Sequence, residues 1–442
     1  MSAVVMGQRP TFIDLFSGCG GLSLGLSQAG WRGLFAIERS SDAFDTFKAN
    51  FIGEKARHPF SWPTWLELGP HSIDDVLANH AKDLASLRGK IDLIAGGPPC
   101  QGFSFAGKRH KNDPRNGMFE RYVTFVDIIR PRMLVLENVP GMNVAHAGGE
   151  GTYFEKLIDA LHVLGYKADG RVLDAAKFGV PQRRARIVVV GVRSKDTRRP
   201  LEVIDRIFQA AMDEGKRQLK DLSNGSFVSA QDAISDLIVG SGLSRLRKTV
   251  DYIDDSSRAR GTFRQLRYTA PLTTYQRQMN KSVPATKMDS MRLANHSMAV
   301  EERFQKILSH CPRGVNINAD NREWLGMLKH RTIPMNGREP SPTLTTLPDD
   351  VLHYKDPRIL TVREYARIQS FPDWFKFRGK YTTGGQLRKL ECPRYTQVGN
   401  AVPPLLGRAV GVALRKAFLA NAKDDTCELL DVSAPNRQRL RA

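Results

Sequence analysis

Ile91-Asp92-Leu93-Ile94-Ala95-Gly96-Gly97-Pro98-Pro99-Cys100-Gln101-Gly102-Phe103-Ser104 decides how the chain is read. Its first five residues form a short apolar run that predicts a buried strand. Two glycines and two prolines then break the strand and fix a turn with little freedom. Cys100 is the first residue after that turn with nucleophilic chemistry. It would stand at the carboxyl end of a strand, where open α/β sheets bind their ligands. A lone cysteine is more often a small buried hydrophobe. Here several other segments point to the same sheet edge.

Working outward, Thr11-Phe12-Ile13-Asp14-Leu15-Phe16 predicts a first strand, followed by Ser17-Gly18-Cys19-Gly20-Gly21 and an apolar helix. The glycines allow a tight turn and close approach of the backbone to a ligand. Position 23 is serine, so the dinucleotide fingerprint is incomplete, and no Gly-Lys-Ser/Thr follows to make a phosphate loop. A glycine loop with neither signature suits a nucleoside without a pyrophosphate. The second strand, Gly33-Leu34-Phe35-Ala36-Ile37, ends in Glu38, where a carboxylate can accept from ribose hydroxyls. Met133-Leu134-Val135-Leu136 predicts another strand, closed by Glu137-Asn138-Val139-Pro140-Gly141. Pro181-Gln182-Arg183-Arg184-Ala185-Arg186 runs into the apolar 187–192 segment, and Arg184 and Arg186 share a face if that strand has begun. Strand and helix alternate up to about residue 195, which predicts a doubly wound, mostly parallel sheet.

The balance of 66 Lys+Arg against 46 Asp+Glu gives a net charge of +20 over 442 residues. Such an excess concerns partners rather than fold and favours a polyanion. Five cysteines without regular spacing argue against a disulfide framework and for a reducing, cytoplasmic compartment. No metal-ligand spacing occurs. No apolar run reaches the roughly 20 residues that span a bilayer. After Ser104 the chain is basic and glycine-flanked, with Lys108, Arg109 and Arg115 suited to phosphates. In 241–292, Arg258, Arg260, Arg264 and Arg267 are interleaved with Phe263, Tyr268 and Tyr275, a pattern that predicts a nucleic-acid surface. Pro340-Ser341-Pro342-Thr343-Leu344-Thr345 is stiff and favours extended structure. Thr361 and Glu364 have capping-box spacing.

In this order and spacing the motifs resemble those of the bacterial DNA (cytosine-5) methyltransferases, over nearly the whole chain. The resemblance implies a Rossmann-like sheet that binds S-adenosylmethionine, with a smaller, mixed target-recognition domain. It assigns Cys100 as nucleophile, Glu137 and Arg186 as the residues that hold the target base, and Arg184 as a support for the loop or a phosphate. Asp14, Phe16, Ser17, Gly18, Cys19, Gly20, Gly21, Glu38, Pro98, Met118, Asn400 and Ala401 become the expected cofactor residues. Gln101, Ser104, Lys108, Arg109, Arg115, Arg258, Arg260, Arg264, Arg267, Thr343 and Leu344 become the expected DNA contacts. The resemblance divides the chain into a catalytic domain at 1–195, a recognition domain at 196–393 and a returning segment at 394–442. It implies duplex DNA as substrate, a cognate restriction endonuclease as partner, and a monomer without membrane attachment.

Three positions depart from the family pattern. No acidic residue near Leu66-Glu67-Leu68-Gly69 can be assigned to the adenine amine, Arg39 stands where an aromatic residue is common, and Ala401 stands where serine is common. Two other functions use the same scaffold: methylation of cytosine in transfer RNA, and DNA binding by an inactive methylase. The second would be expected to lose Cys100 or Glu137, and both are present.

Overall fold

The computed structural model describes residues 9–99, 117–143, 151–197, 199–240, 247–253, 262–281, 283, 288–382 and 391–431, the last eleven of these as helical backbone only. A six-stranded sheet has the order β2-β1-β3-β4-β6-β5. Strands β1 (Thr11–Leu15), β2 (Arg32–Ile37), β3 (Leu93–Gly96) and β4 (Met133–Asn138) are parallel neighbours. Strand β6 (Ala185–Arg193) enters antiparallel between β4 and β5 (Tyr166–Asp174). The sheet is therefore mostly parallel, as the sequence predicts, with one reversed strand. That reversal brings the beginning of β6 to the edge where β1 to β4 end.

Side chains alternate between two buried faces, the two-residue period of a strand. Phe12, Leu93, Ala95, Val135, Val188 and Val190 share one core with helices α1 (Gly21–Gln28) and α2 (Ser41–Phe51). Ile13, Leu15, Ile94, Leu134, Leu136 and Val189 share the other with α3 (Met118–Ile129) and α4 (Tyr153–Val163). Each fully buried side chain of this size contributes about 1.5–3 kcal/mol, and this fixes the strand register: a one-residue slip would exchange the two faces.

The first core extends beyond residue 195. Helix α5 (Pro200–Ser223) packs Val203, Ile204, Ile207, Phe208 and Ala211 into it, beside Leu173, Val190 and Val192 of the sheet. A segment expected in the recognition region thus covers strands β5 and β6. Helices α6 (Val362–Ile368), α7 (Arg394–Asn400) and α8 (Pro404–Asp431) add Tyr365, Val398, Leu406 and Leu414 to the same core. Helix α8 lies against α1 at a glycine contact. A Cβ on Gly25 would come within 2.6 Å of the backbone of Pro404, Gly407 and Arg408. The Trp31 indole donates to the Gly411 carbonyl at 2.8 Å.

The remaining described residues form smaller units around α6. A hairpin of β7 (Thr249–Ile253) and β8 (Thr262–Leu266) and the helix Met298–His310 belong to them. Thr361 and Glu364 do form a capping box at the start of α6. Glu364 also receives both ends of the Arg358 guanidinium at 2.7 and 2.8 Å. Arg367, fully buried, is shared between Asp373 and Asp236. These carboxylates hold its guanidinium proton more firmly than usual, although burial opposes them. Such buried pairs contribute less to net stability than to the choice of one arrangement, since each ion loses its water.

Alanine in place of glycine inside an exposed helix normally stabilises by up to about 1 kcal/mol. At Gly25 the added methyl meets backbone that cannot rotate away. We expect Gly25→Ala to lower stability by roughly 1–3 kcal/mol, measured by thermal or denaturant unfolding. An unchanged or raised midpoint would show that α1 and α8 are not in this contact.

Candidate active site

The carboxyl ends of β1 and β2 carry a loop with unusual backbone. Phe16, a non-glycine residue, has φ 59°, and Gly18 and Gly20 follow at 55° and 94°. Strain of on the order of 1 kcal/mol or more at a residue such as Phe16 persists only where neighbours over-determine it. The Glu38 carboxylate supplies one such constraint. It accepts from the Gly18 N–H at 3.0 Å and the Ser40 N–H at 2.8 Å, so it pins the glycine loop to the start of α2. Burial raises its carboxyl above the ordinary range, while these two N–H groups pull it back. Asp14, 1% exposed, accepts from the Ser23 hydroxyl at 2.5 Å. Its other oxygen, and the Ser17 hydroxyl, are buried with no hydrogen-bond partner among the described residues.

The sequence-predicted cofactor residues surround this loop. A Cβ on Gly18 would meet open space. One on Gly20 would strike the Phe51 ring at 2.4 Å, and one on Gly21 the Val402 carbonyl at 2.3 Å, with the Ala401 methyl at 3.3 Å. The loop is thus backed by α2 on one side and by residues 401–402 on the other, and is open at Gly18. Phe16 is only partly buried against the second core, as is Met118 at the first position of α3. Asn400, exposed, ends α7 next to Ala401. Open space at Gly18, left-handed glycines that bare the backbone, an orphan hydroxyl and a carboxylate at the strand end fit an adenosine-type cofactor. Cys19 is instead buried, its thiol 3.6 Å from the Gln397 carbonyl. Burial pushes that thiol's pKa up, so it is structural rather than reactive.

Strands β4 and β6 supply the second half of the site. The antiparallel register sets Glu137 opposite Val188 and Asn138 opposite Ile187. Arg186 therefore lies diagonally across from Glu137, and its Nε is 2.9 Å from Glu137 Oε1. Both side chains keep only about a tenth of their surface, 12% and 11%. Burial lowers the Arg186 pKa and Glu137 opposes that fall. Gly97 leaves room beside this pair: a Cβ there would be 3.6 Å from Glu137 Oε2. Asn138 donates to the Pro98 carbonyl at 3.1 Å, clamping the turn that precedes Cys100. Cys100 itself lies outside the described residues.

Arg184 precedes β6 and points elsewhere. It is 2% exposed and donates to the carbonyls of Leu344, Gly399 and Ala401 at 3.2, 2.9 and 3.3 Å. Of its two expected roles this is loop support. A phosphate would need a guanidinium that reaches the surface.

Of the expected DNA contacts, Gln101, Ser104, Lys108, Arg109, Arg115, Arg258 and Arg260 lie outside the described residues. Arg267 is exposed. Arg264 is half-exposed on β8 but bonded across the hairpin to Thr249 and Asp251 at 3.0 and 2.8 Å. Thr343 is partly exposed, its hydroxyl donating to the Arg183 carbonyl at 2.6 Å. Leu344 is corrected: its side chain is 1% exposed in the core, so it cannot read a base edge. The expected aromatic surface is corrected too. Tyr275 is fully buried and donates to the Arg367 carbonyl, and Tyr268 is 8% exposed. Phe263 stacks instead on Arg292, whose guanidinium carbon is 4.1 Å from its ring centre and 4.0 Å from that of Tyr381. Sequence reasoning gave no role to Gln182 or Gln369. Both are fully buried and joined amide to amide at 2.5 Å. The only signal was a polar amide directly after a residue that packs inward, Pro181 before Gln182 and Ile368 before Gln369.

Comparison with known proteins gives the family and the fold. A family described as C-5 cytosine-specific DNA methylase matches residues 10–416. The Type II methyltransferase M1.HphI of Haemophilus parahaemolyticus is 30% identical over 413 residues, which cover 92% of this chain and 87% of that one. M.DdeI of Desulfomicrobium norvegicum is 31% identical over 414 residues, with coverage of 90% and 86%. A crystal structure assigned to a prophage-encoded DNA modification methyltransferase of E. coli superposes with a TM-score of 0.62 at 22% identity, over 93% of this chain and 100% of that one. This last likeness supports the fold.

Asp14 gives a pH prediction. Burial raises its carboxyl from 3.8 to about 7 against the Ser23 hydroxyl bond. The protonated form is thus favoured in the folded state. Its contribution is complete below about pH 4 and is lost as pH rises to about 7. The loss is on the order of 4 kcal/mol at most. Asp14→Asn keeps the shape without the ionisation. Its melting temperature should therefore gain on that of the wild type between pH 4 and 7 and run parallel above. A difference independent of pH would show that Asp14 ionises freely.

Proposed function

The chain belongs to the C-5 cytosine-specific DNA methylase family, and from that premise we propose how its residues share the work. It is a DNA (cytosine-5) methyltransferase and takes its methyl group from S-adenosylmethionine. The observation that carries the assignment of roles is the Glu137–Arg186 ion pair, half-enclosed beside Gly97 at the sheet's carboxyl edge.

Carbon 5 of cytosine is a poor nucleophile until carbon 6 has been attacked. Cys100 adds there as the thiolate, which makes carbon 5 an enamine carbon. Glu137 holds ring N3 and the amino group and supplies a proton or shares one, favouring the addition. Arg186 binds the ring O2 and orients Glu137, as the 2.9 Å contact between them supports. Bound S-adenosylmethionine supplies an electrophilic methyl group. Phe16 packs on it, Glu38 accepts from its ribose with the lone pairs left over from Gly18 and Ser40, and Asn400 closes its site. A base then removes the carbon 5 hydrogen and Cys100 leaves. Carbon 6 is inaccessible in stacked duplex, so the target base leaves the helix first.

The rest of the reading concerns context. Residues between α5 and α6 read the DNA sequence, since α5 itself packs on the sheet. The excess of 66 − 46 = 20 positive charges suits the phosphates of a duplex. The Type II designation of the relatives supports a place in a restriction–modification pair, with a cognate endonuclease as partner. The protein acts as a monomer in the cytoplasm, because one chain brings both halves of the site together. Among the described residues no helix is long and apolar enough to cross a membrane.

Bisulfite sequencing of DNA from cells that express the protein tests this reading. Cytosines in one sequence context should be protected, and expression of Cys100→Ser should leave none protected. Protection that survives Cys100→Ser would reject Cys100 as nucleophile. Unmodified DNA from cells with the intact, folded protein would reject the substrate.

A further inference from the structure

Three buried side chains join two segments far apart in sequence. The first is residues 341–345, which make up most of the stiff proline-containing stretch. The Leu344 N–H donates to Gln182 Oε1 at 3.0 Å, and the Leu344 carbonyl accepts from Arg184 Nη1 at 3.2 Å. Both polar groups of one peptide position are thus held by the arginine motif. The second segment is the loop 398–401. Gln369 Nε2 donates to the carbonyls of Val398 and Ala401 at 3.0 and 2.9 Å. Arg184 Nη2 donates to those of Gly399 and Ala401. Gln182 Nε2 closes the circuit by donating to Gln369 Oε1 at 2.5 Å. Gln182 and Gln369 are 0% exposed and Arg184 is 2% exposed. The backbones are also in contact, since a Cβ on Gly399 would lie 2.2 Å from the Thr345 carbonyl.

Each segment has an outward side with a different chemistry. On 341–345 that side is Thr343, set between cations. Its hydroxyl reaches the Arg183 carbonyl, and Arg331 donates to the Thr343 carbonyl at 3.3 Å. The side chains of Arg183 and Arg331 are 62% and 44% exposed and are paired with Glu339 and Asp350 at 2.5 and 3.4 Å, so a phosphate would bind there in exchange for those carboxylates. On 398–401 it is Asn400, next to the residues that back Gly21 in the glycine loop. Between the two lies a buried circuit in which the nitrogen and oxygen of both glutamine amides are hydrogen-bonded and only Arg184 Nε lacks a hydrogen-bond partner among the described residues. A polar group that loses its partner there costs about 1–3 kcal/mol, so a shift of one segment is resisted or followed by the other.

We propose that Gln182, Arg184 and Gln369 are positioning residues that couple the DNA-facing segment 341–345 to the cofactor-facing loop 398–401, so that each ligand binds more tightly when the other is present. This rests on the reading of Thr343 and Asn400 given above. None of the three touches a reacting atom. Their effect is a linkage, which is reciprocal between the two ligands.

The test measures the affinity for S-adenosylhomocysteine by calorimetry, alone and with a duplex that carries the sequence found by bisulfite mapping. In the wild type the duplex should tighten binding about tenfold, within the usual range of such coupling. Gln182→Met should leave the affinity without DNA within about twofold of wild type and cut the enhancement at least threefold. Gln369→Met should weaken binding without DNA at least threefold and cut the enhancement as well. Thermal unfolding checks both variants, and Gln182→Asn and Gln369→Asn, which keep an amide but shorten its reach, replace any that fail to fold. An enhancement near one in the wild type, or a wild-type enhancement in both variants, overturns the proposal. Asn400→Ala separates the two readings. If it leaves S-adenosylhomocysteine affinity unchanged, the cofactor assignment of the loop fails. If it weakens binding while both glutamine variants keep the enhancement, only the coupling fails.

Discussion

The antiparallel entry of β6 beside β4 is the constraint on which the site depends. Parallel neighbours deliver their carboxyl ends to one edge, and β1 to β3 bring the glycine loop, Glu38 and the Pro98 turn there. A fifth parallel neighbour, next to β4, would have brought the end of 185–193 to that edge, with Arg193 in place of Arg186. Reversal brings the start of the strand instead, and the register Glu137 to Val188 makes Arg186 the diagonal neighbour of Glu137. The ladder of hydrogen bonds thus fixes the Glu137 carboxylate and the Arg186 guanidinium in contact, on rigid elements. Such placement is what electrostatic preorganisation requires.

A second consequence concerns the cost of enclosing charge. Arg184, Arg358, Arg363 and Arg367 are all nearly or wholly buried. Arg358 and Arg367 are matched by carboxylates, and Arg184 by main-chain carbonyls alone. Burial therefore lowers the Arg184 pKa strongly, Arg186 beside it adds to the fall, and only Glu137 opposes it. A cation in this position forces three carbonyls to converge. It defines where residues 344, 399 and 401 sit, at some expense in stability, and so joins the recognition region to the sheet. Part of the region between α5 and α6, including Tyr275, Met335, Leu344 and Val351, extends the first core, while Phe304, Ile307 and Leu325, and Leu237, Leu266 and Met291, form two smaller cores of their own.

Much of this was legible in the sequence, for a physical reason. Turn formers beside apolar runs mark strand ends: Glu38 follows the end of β2, Asp14 and Glu137 are the last residues but one of β1 and β4, and Arg186 is the second residue of β6. What was not legible depends on which way a residue faces. Arginines interleaved with Phe263, Tyr268 and Tyr275 read as a nucleic-acid surface, yet Tyr275 and Tyr268 face the core and Phe263 sandwiches Arg292. Thr343-Leu344 read as a DNA contact, but only the threonine looks outward. The direction of β6 was equally hidden, because a buried strand has the same apolar run whichever way it enters. Helix α5 was missed as a partner of the sheet since its apolar stripe does not name the surface it covers.

Covalent attack by Cys100 on a cytosine held by Glu137 and Arg186 is the chemistry proposed for this edge. The most direct test replaces the carbon 5 hydrogen of the target cytosine by fluorine. No base can remove fluorine as a cation, so the thioether to carbon 6 cannot break after methyl transfer. Duplex DNA with 5-fluorocytosine at the target should give a denaturant-resistant adduct that requires S-adenosylmethionine, with the DNA attached to the peptide containing Cys100. An active enzyme that forms no adduct on this DNA, or one linked through another cysteine, would contradict the account.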